Sequence, residues 1–277
     1  MDAFVSPLST RHAHLLDYPN RIHYLTFITS PTVHLYSVRI NHRHGFARNN
    51  RWSRHAATDT DEQATVTYEL NVKGGDTSVA AIGTKGLWAT DSGAQCRLLY
   101  TITMTAMTLT TKLDIKNTGS IDFPIQTLLH SYYNVHNKAA LDASKCFVRG
   151  LEVYELIDKV DPNNSCASAQ VESITITKET DSVYHPPEDK PELNIDIHVG
   201  LPYSFHLVAK GQVMGSPVAV SCVVWNPYKE KAKAMSDFGD DQYKEMICVE
   251  PGILKGENIV KADGQASLEQ IISVVDL

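Results

Sequence analysis

The sequence predicts an all-β protein, a large antiparallel β-sandwich, and three observations predict it. From Ala64 onward, apolar and polar residues alternate with a period of two. The alternating runs are short and are separated by Gly, Pro, Asn and Asp. Almost no segment carries a helical period. Many short strands with little helix make a sandwich or barrel, because each strand must bury one face against a second layer.

The elements follow in order. Residues 1–43 show no sustained period and form an atypical N-terminal segment, part strand (Thr32–Val38) or part arm. Residues 44–277 form a single sandwich domain. Ala64–Val72 alternates and ends in the turn Lys73-Gly74-Gly75-Asp76. Arg97–Met104 and Thr108–Ile115 are strands joined by a short loop. Lys116-Asn117-Thr118-Gly119 turns the chain into Phe123–His130. Further strands are expected at Val171–Thr177, Leu193–Val199, Tyr203–Ala209, Val218–Trp225, Tyr243–Val249 and Leu268–Val275. The best helix is one or two turns around Lys229–Met235. Asp158–Ala169 and the acidic, Pro-rich Tyr184–Glu192 are surface excursions.

At 277 residues and 43% hydrophobic, the chain can bury a substantial core in one domain. Its formal charge of −7 argues against nucleic acid as a partner, since such binding needs a basic face. Five scattered cysteines contain no C-x-x-C pair, which disfavours zinc and redox motifs and favours a reducing compartment. Cys222 and Cys248 lie in apolar runs and are expected to be packing residues. No apolar run approaches the ~20 residues of a membrane helix, and no signal-peptide core is visible. A cytoplasmic monomer with no membrane partner is the expectation. G-x-S-x-G, H-E-x-x-H and Gly-rich phosphate loops are absent from the sequence.

A few residues stand out chemically. His130 ends its predicted strand beside Ser131-Tyr132-Tyr133, where its near-neutral pKa suits proton donation; a hydrogen-bonded structural histidine fits the same spacing. Glu250 follows the apolar Met246-Ile247-Cys248-Val249 and precedes a Pro251-Gly252 turn. A carboxylate there is either an exposed strand-end acid or a partly buried, functional one. Asp181 reads as a loop acid. His42-Arg43-His44 through Arg48 and Arg51 is a dense basic cluster whose arginine forks suit phosphate.

Taken together, His44-Gly45-Phe46-Ala47-Arg48-Asn49 with Trp52, Leu129-His130-Ser131-Tyr132-Tyr133, Gly150-Leu151, Asp181 with Val183-Tyr184, Val224-Trp225-Asn226-Pro227, Asp237-Phe238 and Cys248-Val249-Glu250-Pro251-Gly252 resemble the glucose-6-phosphate 1-epimerase family. That family, of hexose-6-phosphate mutarotases, lies within the wider aldose 1-epimerase group. The segments occur in the family's order over residues 44–277. The resemblance implies a galactose-mutarotase-like supersandwich that interconverts the α and β anomers of glucose 6-phosphate without cofactor or metal. It implies Glu250 as base and His130 as acid, Asp181 beside the sugar, and Arg48, with His44, at the 6-phosphate. The family's upstream Arg-Gly-Gly-Ile-Pro segment does not occur here, and Arg43 stands where the family has Gln. Arg43 is therefore a candidate replacement for the missing phosphate-binding arginine. Two other readings fit the same residues: an aldose 1-epimerase acting on unphosphorylated sugar, and a non-catalytic carbohydrate-binding protein.

Overall fold

A computed structural model of the chain describes residues 47, 50–75, 93–169 and 171–276, together with the backbone of residues 29–35. Arg43, His44, Arg48 and the expected boundary at residues 43–44 lie outside the described residues. The described strands are β1 Thr29–Leu35, β2 Ser53–Asp59, β3 Gln63–Lys73, β4 Gln95–Thr105, β5 Thr108–Asn117, β6 Phe123–Asn134, β7 Cys146–Arg149 and β8 Glu155–Asp158, then β9 Thr180–His185, β10 Leu193–Val199, β11 Tyr203–Val213, β12 Ser216–Val218, β13 Ser221–Asn226, β14 Met246–Val260 and β15 Gln265–Asp276. Among the described residues one short α-helix, α1, spans Tyr228–Ala234.

These strands form two antiparallel sheets. The first runs β1-β6-β14-β13-β9-β8; the second runs β2-β3-β4-β5-β15-β11-β10-β7, with β12 paired to β11. The sheets bury one continuous core between them. Leu129, Tyr133, Val224, Ile247, Val249 and Ile253 come from the first sheet, and Leu98, Leu113, Ile115, Leu207, Leu268 and Ile272 from the second. Strand periodicity explains the split: in the first sheet, Leu129 and Tyr133 point inward while His130 and Tyr132 point to the opposite face. The all-β sandwich expected from the sequence is the architecture found.

A buried polar link crosses the core. Gln270 of β15 donates from Nε2 to Thr111 Oγ1 at 2.9 Å and to Ser131 Oγ of β6 at 3.0 Å. All three residues are fully buried. The two sheets are thus joined by hydrogen bonds immediately behind His130.

Several expectations need correction. β6 does not end at His130 but continues to Asn134, carried by Ser131-Tyr132-Tyr133, whose aromatic residues favour an extended backbone. Pro251-Gly252 is not a turn, because β14 runs straight through it from Met246 to Val260. Glycine is required at 252: a Cβ there would lie 2.8 Å from Thr127 O. Asp181 and Tyr184 belong to β9 rather than to loops. The alternating Val171–Thr177 meets the sheet only at a single bridge, Ile174 to Val148. Its Ile174 and Ile176 are buried, so the burial pattern survives without a ladder. Tyr243 falls in a 3-10 turn before β14. Val218–Trp225 is divided between β12 and β13; β1 overlaps the expected piece Thr32–Val38, whose last three residues lie outside the described residues, and β2, β7, β8 and β9 add strands the sequence pattern did not mark.

Candidate active site

Register places the site. β14 lies between β6 and β13, and β9 flanks β13. Cys248 pairs with Tyr132 and Gly252 with Leu128; the ladder is broken between them without a change of register, so Glu250 falls opposite His130. Pro251, in the gap, has no N–H to give the ladder. Across β13, Glu250 pairs with Val223 and Cys248 with Trp225; across β9, Val223 pairs with Val183 and Trp225 with Asp181. One face of the first sheet therefore carries His130, Tyr132, Cys248, Glu250, Val223, Trp225 and Asp181. Residues 120 positions apart (130 and 250) become neighbours because β6 and β14 are adjacent strands.

His130 Nε2 lies 3.4 Å from Glu250 Oε1. The residues are 4% and 3% exposed. Burying two ionisable groups costs several kcal/mol per ion, offset only by close pairing. The pair's surroundings are largely apolar. Leu128, Val183 and Val223 form a small buried cluster on this face, with Trp225 and Leu254 packed against it. The His130 ring stacks on Tyr132, with centroids 4.7 Å apart and planes at 8°, and Trp225 meets it edge-on at 6.3 Å. Phe238 in turn meets Trp225 at 6.4 Å. The result is an aromatic wall beside a paired imidazole and carboxylate.

The Trp-Asn-Pro break is built around Asn226. Its buried Nδ2 donates to Tyr243 O and Met246 O, both at 2.8 Å, and its Oδ1 accepts from Tyr228 N at 2.8 Å. This clamp closes the excursion through α1 at its base and holds Tyr228 in the left-handed region (φ 53°). It also fixes the start of β14, four residues before Glu250.

Asp181 shares the His130–Glu250 face, two strands away from Glu250, and its Oδ1 is 3.7 Å from Lys159 Nζ. Two other features of this face were not singled out as site residues from the sequence. Cys248 is fully buried beside the pair, signalled by its i, i+2 spacing to Glu250. His185 Nδ1 lies 2.7 Å from Ser221 Oγ, one row further along. Burial pushes the His185 imidazole below its ordinary value. Burial, then the Glu250 charge, pushes the Cys248 thiol well above the usual thiol range. The expectation that Cys222 and Cys248 pack in the interior agrees with their complete burial. No helix among the described residues is long and apolar enough to cross a membrane.

Comparison with known proteins agrees with this architecture. A protein named "Putative glucose-6-phosphate 1-epimerase" from Cenchrus ciliaris is 32% identical over 149 residues, covering 54% of this chain and 40% of that protein. Its namesake in Escherichia coli is 27% identical over 235 residues, covering 83% and 67%. The chain thus spans well under half of the first relative's length and about two thirds of the second's. A crystal structure described as that of "a putative mutarotase" from Salmonella typhimurium superposes with a TM-score of 0.64 at 26% identity, covering 84% of this chain and 68% of that one. A galactose mutarotase-like protein from Clostridium acetobutylicum shares the fold at 15% identity, with a TM-score of 0.56 and coverage of 91% and 79%. The family model described as Aldose 1-epimerase matches residues 8–272, nearly the whole length. The chain belongs to the aldose 1-epimerase family.

Proposed function

We propose that this chain is a hexose-6-phosphate mutarotase in which Glu250 is the base and His130 the acid. The observation that carries the reading is the buried 3.4 Å pairing of His130 Nε2 with Glu250 Oε1. Glu250, as carboxylate, takes the proton from the C1 hydroxyl. The O–H electron pair forms the C1=O bond, and the bond from C1 to the ring oxygen breaks. Its electron pair stays on the ring oxygen, which takes a proton from His130. Rotation about C1–C2 and ring closure on the other face of the aldehyde give the opposite anomer. Glu250 and His130 then recover their starting protonation states.

The reaction needs one group deprotonated while the other is protonated, which is the state a close carboxylate–imidazolium pair favours. The apolar surround of Leu128, Val183 and Val223 strengthens that electrostatic coupling by lowering the local dielectric. Asp181, further along the same face, orients a sugar hydroxyl. Arg48, with His44, holds the 6-phosphate, and Arg43 supplies the second guanidinium. The substrate assignment draws on the names of the relatives and on the H-G-F-A-R segment.

A second reading, an aldose 1-epimerase for unphosphorylated sugar, is favoured by the missing Arg-Gly-Gly-Ile-Pro segment. Anomer conversion followed by NMR for glucose 6-phosphate, glucose and galactose separates the two. Conversion of the phosphorylated sugar at a rate at least tenfold above the free sugars is expected. Conversion of free sugars alone would establish the second reading, and ligand-induced thermal stabilisation without conversion would establish a binding protein.

A further inference from the structure

We propose that His130, Cys248 and Glu250 form a site for a thiophilic divalent cation of the zinc class, overlapping the acid/base pair. An imidazole nitrogen, the Cys248 sulfur and a Glu250 carboxylate oxygen all lie within 4.8 Å of one another. All three residues are buried. Two adjacent strands supply them: Cys248 and Glu250 alternate onto one face of β14, and His130 stands opposite on β6.

Geometry and charge both suit such an ion. Zinc bonds to nitrogen, oxygen and sulfur run from about 2.0 to 2.3 Å, which in a tetrahedron sets neighbouring donors roughly 3.3–3.8 Å apart. The His130–Glu250 separation of 3.4 Å is already in that range. From 4.8 Å, the widest spacing in the set, closure needs a shift on the order of 1 Å. Nitrogen and sulfur donors select zinc-like ions over magnesium or calcium, which take oxygen. As the metal–sulfur bond forms, the thiol proton leaves to solvent. A divalent cation with one thiolate, one carboxylate and a neutral imidazole sums to zero charge, which a buried site tolerates best. Three protein donors leave a fourth position open to water.

A cation held there occupies the imidazole lone pair and the Glu250 oxygen, so neither can exchange protons with a sugar. This inhibitory consequence rests on the acid/base reading proposed above, whereas the cation site itself rests on the donor geometry.

The test is titration of the chelator-treated full-length chain with Co2+, read by the thiolate-to-cobalt charge-transfer absorption. The band should saturate at one equivalent in the wild type and in Cys166→Ser, which alters an exposed cysteine. It should vanish in Cys248→Ser, and Glu250→Gln should weaken cobalt affinity at least tenfold. No band in the wild type, a band that persists in Cys248→Ser, or one lost only in Cys166→Ser would overturn the proposal. A Glu250→Gln variant with unchanged affinity would do the same, without relying on the folding of the Cys248 variant. Anomer conversion on the same samples separates the two readings. Loss of conversion at one equivalent of Co2+, restored by chelator, supports the overlap. Full conversion with the band present overturns the overlap and the acid/base roles together while the band still reports the cation; absence of conversion without cobalt counts only against the mutarotase reading.

Discussion

His130 and Glu250 stand opposite each other on adjacent central strands, at the one break in their ladder before its register shifts between Ile253 and Asn258, with Nε2 3.4 Å from Oε1. Pro251 lies in that break and deprives it of a backbone donor. A protein that needed only stability would fill this position with packed side chains; here a buried titratable pair is set into an apolar sheet face.

Glu250→Gln and His130→Gln are therefore expected to slow anomer conversion at least ~100-fold each, the usual loss for a general base or acid. Single-turnover or NMR exchange rates on purified protein measure this. A loss of tenfold or less in either would remove that residue from the mechanism.

Stability should respond in the opposite way when both groups go together. Removing one partner strands a buried group, at about 3–5 kcal/mol, whereas replacing a buried ion pair by packed apolar residues is often neutral or stabilising. The double variant His130→Leu, Glu250→Leu should unfold at equal or higher denaturant than wild type while losing conversion. A double variant less stable than either single would show that the pair supports the fold.

Ser131 offers a contrast one residue away. It points into the core, where its hydroxyl accepts from Gln270 Nε2 at 3.0 Å. Ser131→Ala leaves that buried N–H without its Ser131 acceptor, a cost of about 1–3 kcal/mol. Since alternate residues of a strand face opposite sides, conversion well below the melting temperature should fall less than tenfold. Urea unfolding and conversion rates measured on the same variant test both statements. A loss as large as that of His130→Gln would mean that the inter-sheet link sets the histidine's position.

Much of the sandwich was legible because alternation records burial directly: Leu193–Val199 was read to the residue. The pairing of His130 with Glu250 was not, because local periodicity carries no register between strands 120 positions apart. Strand ends were misjudged where a local signal met a tertiary one. Pro251-Gly252 reads as a turn, yet β14 continues because β13 and β6 flank it on both sides. Asp181 reads as a loop acid because its hydrophilic neighbours hide that β9 is held between β13 and β8. β2 gave no alternation to read, since every residue of Ser53–Asp59 is exposed.

Asn226 should tolerate no replacement, including the nearly isosteric Asp. Its Nδ2 faces two carbonyl oxygens, Tyr243 O and Met246 O. Asp puts an acceptor where a donor is needed and adds a buried charge. Asn226→Asp should cost at least as much as Asn226→Ala, on the order of 3 kcal/mol for the stranded groups. Denaturant midpoints for the two variants decide it. A milder Asp variant would mean that the Tyr228 N–H contact to Oδ1 dominates the clamp.

Acid should loosen the loop after β8 through Asp158. Burial works to raise its pKa. Against this, Asp158 Oδ1 accepts from Asp161 N and Val160 N, both at 2.9 Å, and Oδ2 accepts from Asn164 Nδ2 at 2.9 Å. These bonds, with Lys178 at 3.6 Å, hold the carboxyl below its ordinary value. A carboxyl depressed by folding contributes stability that is present above its unfolded pKa of about 3.9 and is lost as pH falls through the lower, folded value. Asp158→Ala should therefore destabilise the protein at pH 7, by about 1–3 kcal/mol for the stranded donors. The gap between variant and wild type should narrow below pH 4. Denaturant unfolding of both proteins from pH 7 down to pH 3 measures it, and a gap independent of pH would mean that the ionised form of Asp158 is not what the loop binds.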